Sequence, residues 1–222
     1  YWAKAGCDCR TFRYSDFNLG TQLRHTPDTE LFKAEWLTGP KGELNRRIAH
    51  DCDGIVCGLY EYYASYMAHF DQKEKLTHIP FPIIIEPHTA DDRTPKPIRF
   101  FIGIQRSRSA YKGTDIMLAA LEKLHNRYPS QTEIIRAENI PFARYKQMMQ
   151  GSDVILDQLY SYTPAMNALQ AMSQGLVLVG GAEPEHYQLM NEPNLRPIIN
   201  VQPTEESVFE ALEQLVLHPD FI

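Results

Sequence analysis

Apolar runs alternate with amphipathic stretches along the second half of the chain. Ile98–Ile104 reads as a continuous apolar strand of the kind found inside parallel sheets. In Thr114–Tyr128 the apolar residues recur at spacings of three and four, which predicts a helix with one buried face. The same alternation continues to the end of the chain. It predicts an α/β fold built on a doubly wound, Rossmann-like parallel sheet.

The remaining elements follow from the same patterns. Further strands are predicted at Thr132–Arg136, Val154–Leu156, Leu176–Val179 and Pro197–Val201, and further helices at Pro141–Gln150, Pro164–Gln174 and Glu205–Leu217. In the first half, a strand at Gly54–Leu59 is predicted between helices at Lys41–Cys52 and Tyr60–Phe70. Gly175 follows a predicted helix at the position where a left-handed residue ends helices.

Ser152–Glu185 is the central strand-helix-strand unit. Its polar loop Asp157–Thr163 follows a strand, and loops after strand ends face the ligand crevice in such sheets. Asp157 could therefore contact a ligand, or it could simply cap the loop. The carboxylates of Glu183 and Glu185 suit a helix start on electrostatic grounds alone, and we expect His186 on the surface of that helix.

The segment 86–97 is the predicted boundary between two domains. It has charges of mixed sign, three prolines and no apolar period, which is typical of a linker. The predicted domains are therefore 1–85 and 98–222. The chain begins at Tyr1 without an initiator Met, so we expect a fragment of a longer protein.

Composition excludes several classes of function. A net charge of −6 and a pI near 5.8 argue against nucleic-acid binding, which needs a basic face. No apolar run approaches the roughly 20 residues of a membrane span, and no signal peptide is evident, so we expect no transmembrane segment and a cytoplasmic location.

The cysteines and histidines give little support for a metal site. Cys7, Cys9, Cys52 and Cys57 could reach one zinc ion, but their spacing differs from a C-x2-C knuckle, and reduced structural thiols are the favoured interpretation. The histidines show no H-E-x-x-H spacing, and no P-loop or serine-hydrolase motif occurs.

The loop between the strand at Ile98–Ile104 and the next long helix carries Arg106, Arg108 and Lys112 together with two serines. Such a loop lies at the carboxyl edge of a parallel sheet, where ligands bind. Arginine grips phosphate oxygens in pairs and lysine adds a compact positive charge. The pattern favours a diphosphate ligand over a merely solvated basic loop.

Several segments together resemble a known family. Ser152–Leu156, the run Met166–Gly175 and the motif Gly181-x-x-Pro184-Glu185 look like the carboxyl-terminal domain of the family 4 (group 1) retaining glycosyltransferases of GT-B fold. Cys7–Arg10 and Asp53–Cys57 resemble the end of that family's amino-terminal domain more weakly. The resemblance implies the C-terminal half of a GT-B architecture, preceded by part of an acceptor-side domain.

The resemblance also implies a function. A sugar would move from a nucleotide-sugar to a saccharide or lipid-linked cell-envelope acceptor, with retention of configuration, at the inner face of the membrane. The nucleotide-sugar is a substrate, and neither a cofactor nor a metal is implied.

Individual residues carry over from the family pattern. Arg106 and Lys112 match the pair of cations that holds the donor diphosphate, Gly103 matches a tight turn before them, and Glu138 falls near the nucleobase. The donor sugar and ribose region corresponds to Tyr162, Met166, Asn167 and Gln170. No catalytic residue is assigned.

Two features of the family pattern are missing from this chain. Its two glutamates, eight positions apart, are replaced here by Tyr162 and Gln170, and its glycine-rich turn is replaced by Thr163-Pro164-Ala165. Two alternatives therefore stay open: a non-catalytic relative that binds a nucleotide or a partner, and a sugar-nucleotide epimerase of GT-B fold.

Overall fold

The computed structural model describes residues 39–85 and 97–222, which form two compact units. The described part of the first unit comprises 39–82 and 184–192, and the second comprises 83–85, 97–183 and 193–222. Cys7, Cys9 and nearly all of the predicted linker lie outside the described residues. The domain boundaries 1–85 and 98–222 stay a prediction.

The elements of the described residues alternate between helix and strand. The helices are α1 (Pro40–Asp51), α2 (Tyr60–His69), α3 (Ser109–Lys112), α4 (Thr114–Arg127), α5 (Phe142–Met149), α6 (Met166–Met172), α7 (Pro184–Leu189) and α8 (Glu205–Leu217). The strands are β1 (Ile55–Cys57), β2 (Leu76–His78), β3 (Ile98–Ile104), β4 (Thr132–Glu138), β5 (Val154–Leu156), β6 (Val177–Gly180) and β7 (Ile198–Asn200). In this part of the chain no helix is both long and apolar enough to cross a membrane.

In the described part of the first unit, β1 pairs in parallel with β2, and α1 and α2 contribute to a small core. β2 was not predicted, because its three residues are too few to show a period. Cys57 is buried in this core, and burial raises the pKa of its thiol to about 11. A buried thiol of this kind behaves as a small apolar side chain.

Helix α7 belongs to the first unit, although the predicted boundaries assigned it to the second domain. The structural reason is that α7 packs on α2, with the ring of Tyr187 buried. The expectation that His186 is a surface residue is wrong. Its side chain is half-buried, and burial lowers its pKa.

The second unit contains one five-stranded sheet in the order β4-β3-β5-β6-β7, with every neighbouring pair parallel. β3, β5 and α8 have the bounds that the sequence predicted. The helix α8 is capped by Thr204, whose side chain accepts a hydrogen bond from the backbone N–H of Ser207 at 3.2 Å.

Alternate side chains of β3 point to opposite faces of the sheet. Phe100 and Ile102 are fully buried in the core formed with α4 and α8. Phe101 points to the other face, where its ring meets Tyr145 of α5 edge-on, with centroids 4.9 Å apart. Helices therefore cover both faces, and the predicted doubly wound parallel sheet is confirmed.

Two local predictions differ from the structure. Helix α6 begins at Met166 instead of Pro164, because Ala165 is extended at its N-cap and the buried residues before it form a turn closed by Ser161 and Thr163. Gly103 lies inside β3 and not in a tight turn. Gly175 has φ of 81°, the left-handed conformation predicted for it, but the helix ends at Met172 and Gly175 lies in the turn that follows.

Candidate functional site

A cavity of about 570 Å³ opens at the carboxyl ends of β3, β4 and β5. The chain leaves β3 towards β4 on one side and returns to β5 on the other, so this is the point where the order of strands reverses. In open α/β sheets ligands bind at this switch point. The cavity is lined by Gly103, Ile104, Gln105, Lys112, Ala137, Asn139, Ile140, Phe142, Tyr145, Asp157 and Asn167.

Lys112 is held at the cavity by the backbone around it. It ends α3, and Gly113 with φ of 75° turns the chain into α4. The carbonyl of Lys112 accepts a hydrogen bond from the N–H of Leu159 at 2.8 Å. This bond ties the basic loop to the loop after β5, so the cation and Asp157 are brought to the same cavity.

Asp157 is a buried carboxylate that lines the cavity directly after β5. Its Oδ1 accepts a hydrogen bond of 3.0 Å from the side-chain amide of Asn167 in α6. Burial raises the pKa of Asp157, while the positive charge of Lys112 and the bond from Asn167 act in the opposite direction. The site thus places an acidic and a basic side chain in the same cavity, near enough for the charge of Lys112 to lower the pKa of Asp157.

Tyr145 forms another wall of the cavity. Burial is the main reason that the pKa of its phenol is raised; the charge of Asp157 acts in the same direction, and the amide of Asn167 acts in the opposite one. The ring occupies the space that a side chain at Gly103 would need, since a Cβ built there would lie 2.9 Å from Cζ of Tyr145. Gly103 therefore serves the site by leaving room for this ring.

Arg106 and Glu138 form an ion pair with each other. Glu138 ends β4 opposite Ile104 in the register of β3, and its second oxygen accepts from Nη2 of Arg136 at 2.7 Å. The hydrogen bond from Arg106 is the main reason that the pKa of Glu138 is lowered. The Arg106 side chain is 77% exposed, so its charge is largely solvated.

The predicted site residues fall into two groups. Gly103, Lys112 and Asn167 line the cavity, whereas Arg106, Glu138, Tyr162, Met166 and Gln170 are not among the residues that line it. Tyr162 is buried in the loop after β5, and Met166 is 47% exposed. The amide of Gln170 lies 3.3 Å from Oγ of Ser173 in the following turn.

Asn139, Phe142 and Tyr145 are among the cavity residues that were not singled out from the sequence. The backbone of Asn139 has φ of 48°, and its side chain accepts a hydrogen bond of 3.1 Å from the N–H of Arg106. Phe142 begins α5 and is 68% exposed at the rim. The signal that could have indicated Asn139 is its position immediately after β4.

No family model and no curated protein matches the chain. Solved structures do match. One is S. aureus TarM in complex with Fondaparinux, alpha-GlcNAc-glycerol and UDP, at a TM-score of 0.61 and 12% identity over 82% of this chain and 41% of TarM. Another is the apo form of the lipopolysaccharide outer core galactosyltransferase WaaB, at a TM-score of 0.52 and 14% identity over 82% of this chain and 57% of WaaB.

These matches show the fold. The α/β architecture with parallel sheets is that of the Rossmann-like GT-B glycosyltransferases. The chain spans less than two thirds of the length of either neighbour.

Within residues 39–85 and 97–222 no three His, Cys, Asp or Glu side chains are grouped as a metal site would require. Of the four cysteines considered for zinc, the two described ones are free thiols. Cys52 donates a hydrogen bond of 3.3 Å to the carbonyl of Ala49.

Proposed function

We propose that this chain is the nucleotide-sugar-binding part of a retaining glycosyltransferase of family 4, preceded by part of an acceptor-side domain. The enzyme would act in the cytoplasm, at the inner face of the membrane, on a saccharide or lipid-linked cell-envelope acceptor. The GT-B fold supports the reaction class, and the named galactosyltransferase neighbour supports a saccharide acceptor.

The observation that carries this proposal is the position of Lys112. It lies in a cavity at the switch point of a parallel sheet, and among the described residues that line this cavity it is the one with a positively charged side chain. A diphosphate bound there would be neutralised as it departs from the sugar, and such stabilisation of developing charge is the main contribution that proteins make to group transfer. In this proposal Arg106 contributes less than Lys112 to neutralising the diphosphate, because its side chain is solvated and paired with Glu138.

A first experiment measures thermal shifts of the chain with uridine, guanosine and adenosine diphosphates and their sugars. A ligand at 100 times its Kd stabilises by about 2.7 kcal/mol, which is easily detected. Replacing Lys112 by Ala should weaken the binding of the best ligand about 10- to 100-fold, the worth of a charged hydrogen bond. Arg108→Ala is the matched control, since Arg108 is in the same loop but does not line the cavity.

Transfer itself is tested on the natural full-length protein by product analysis with the sugar nucleotide that binds. Formation of a glycoside with the donor's anomeric configuration supports the proposal, and Lys112→Ala should then raise the donor KM and lower kcat. If no ligand binds, or if Lys112→Ala and Arg108→Ala bind equally well, the proposal is wrong.

A second candidate is a non-catalytic relative that binds the nucleotide only. The buried phenol of Tyr162 and the amide of Gln170 favour it, since neither offers a carboxylate to a positively charged sugar centre. Tight binding without any glycoside product would select this candidate.

A further inference from the structure

The charged side chains that line the cavity favour one orientation of a bound phosphorylated ligand. Lys112 and Asp157 both line it, and they are close enough for the charge of one to change the pKa of the other. A phosphate group is attracted to the lysine and repelled by the carboxylate. The uncharged part of a phosphorylated ligand must therefore be the part that faces Asp157.

The carboxylate of Asp157 is oriented so that it can accept hydrogen bonds. Asn167 holds Oδ1 through a hydrogen bond of 3.0 Å, which fixes the orientation of the whole group at the wall of the cavity. Burial nevertheless raises the pKa of Asp157, so the ionised group is under-stabilised in its surroundings. A donor from the ligand would supply the missing stabilisation, and a hydroxyl is the donor that carries no charge of its own.

The other polar groups nearby suit the same ligand chemistry. The phenol of Tyr145 is neutral at physiological pH, as is usual for tyrosine, and Tyr145 lines the cavity together with Asn167. A carboxylate, an amide and a phenol side by side can both donate to and accept from neighbouring hydroxyls. Such a set matches the adjacent hydroxyls of a sugar ring.

We propose that Asp157, positioned by Asn167, recognises adjacent ring hydroxyls of the nucleotide-sugar and so fixes which end of the ligand enters the cavity. This inference rests on the proposed function and adds a binding residue to it. Asp157 lies five residues before Tyr162, and it provides the carboxylate that Tyr162 does not.

The test combines a change in the protein with a matching change in the ligand. Asp157→Asn keeps the shape of the side chain and removes its charge. Glu206→Gln is the matched control, because it removes one exposed carboxylate from the first turn of α8, away from the cavity. The probes are uridine, guanosine and adenosine diphosphates, their 2′,3′-dideoxy analogues, their glucose conjugates and inorganic pyrophosphate, with Kd measured by calorimetry.

Two results support the inference and distinguish the two sugar rings. If the hydroxyls belong to the ribose, the wild-type protein prefers the parent diphosphate over its dideoxy analogue by about tenfold or more, and Asp157→Asn removes this preference. If they belong to the transferred sugar, Asp157→Asn removes instead the advantage of the glucose conjugate over the bare diphosphate. In both cases pyrophosphate should bind the variant at least as well as the wild type.

Four results overturn the inference. It fails if both preferences survive in Asp157→Asn, or if pyrophosphate binding is lost in parallel, since that loss would indicate a purely structural role. If Asp157→Asn does not fold, binding to the wild-type protein is the test. The inference is then overturned if the wild type binds the parent and dideoxy diphosphates with equal Kd values and also binds the diphosphates equally well with and without glucose. Failure of every diphosphate to bind the wild type would overturn the proposed function as well, which distinguishes the two failures.

Discussion

Gly103 offers a direct test of how the cavity wall is built. A methyl group at this position would clash with Oη of Tyr145 and lie 2.5 Å from Cε2, and the Tyr145 ring is itself packed edge-on against Phe101. Forcing such a contact costs about 1–3 kcal/mol, whereas removing a glycine from a strand gains about 0.5–1 kcal/mol. We therefore expect Gly103→Ala to lower the free energy of unfolding by about 1 kcal/mol.

The effect of Gly103→Ala on the free energy of unfolding should change sign when the Tyr145 ring is removed. In a Tyr145→Ala background only the gain remains, so Gly103→Ala should stabilise by about 0.5–1 kcal/mol, and the coupling between the two positions should be about 2 kcal/mol. Urea unfolding of the wild type, the two single variants and the double variant measures this coupling. Gly54→Ala is the control, because its Cβ would be 3.8 Å from the nearest atom, the carbonyl oxygen of Lys75. An equal effect of Gly103→Ala in both backgrounds would refute the steric argument.

Three further predictions concern buried groups. Leu212→Ala, at a fully buried position of α8, should cost about 2–5 kcal/mol in urea unfolding, and a loss below 1 kcal/mol would contradict the described core. Asp157 has a raised pKa in the folded state, so its contribution to stability is lost as pH rises from the unfolded value of about 3.9 through the folded one. Between pH 4 and pH 7 the melting temperature of Asp157→Asn should consequently rise relative to that of the wild type. Parallel curves of melting temperature against pH would show that the carboxylate is not destabilised by burial. Cys57, with a pKa of about 11, should resist alkylation at pH 8 until the chain unfolds. Mass spectrometry of the labelled peptides measures this resistance, and rapid labelling of the folded protein would argue against the burial of Cys57.

The parts of the fold that could be predicted are those specified by local pattern. β3, β5 and α8 were predicted to the residue, because β3 and β5 are apolar runs and α8 has an apolar helical period that follows a capping threonine. The strand β2 and the packing of α7 on α2 could not be predicted, since they depend on contacts between distant segments. The early start predicted for α6 has a local cause, because Pro164 is acceptable in a first helical turn but Ser161 and Thr163 bond each other in the preceding turn and Ala165 is extended.

The candidate site divides in the same way. Lys112 follows from its place in the loop after a strand end, which the sequence indicates, whereas Asn167 was implied by the family resemblance. Tyr145 does not, because it reaches the cavity from a helix on one face of the sheet through the space left at Gly103. The pairing of Arg106 with Glu138 depends on the register of β3 and β4, which no local pattern reveals.

The most direct test of the account is a crystal structure of the chain with the nucleoside diphosphate that gives the largest thermal shift. The account predicts phosphate oxygens at hydrogen-bond distance from Nζ of Lys112 and sugar hydroxyls on the side of Asp157. Phosphates bound outside the cavity, or placed against Asp157 with Lys112 turned away, would contradict it.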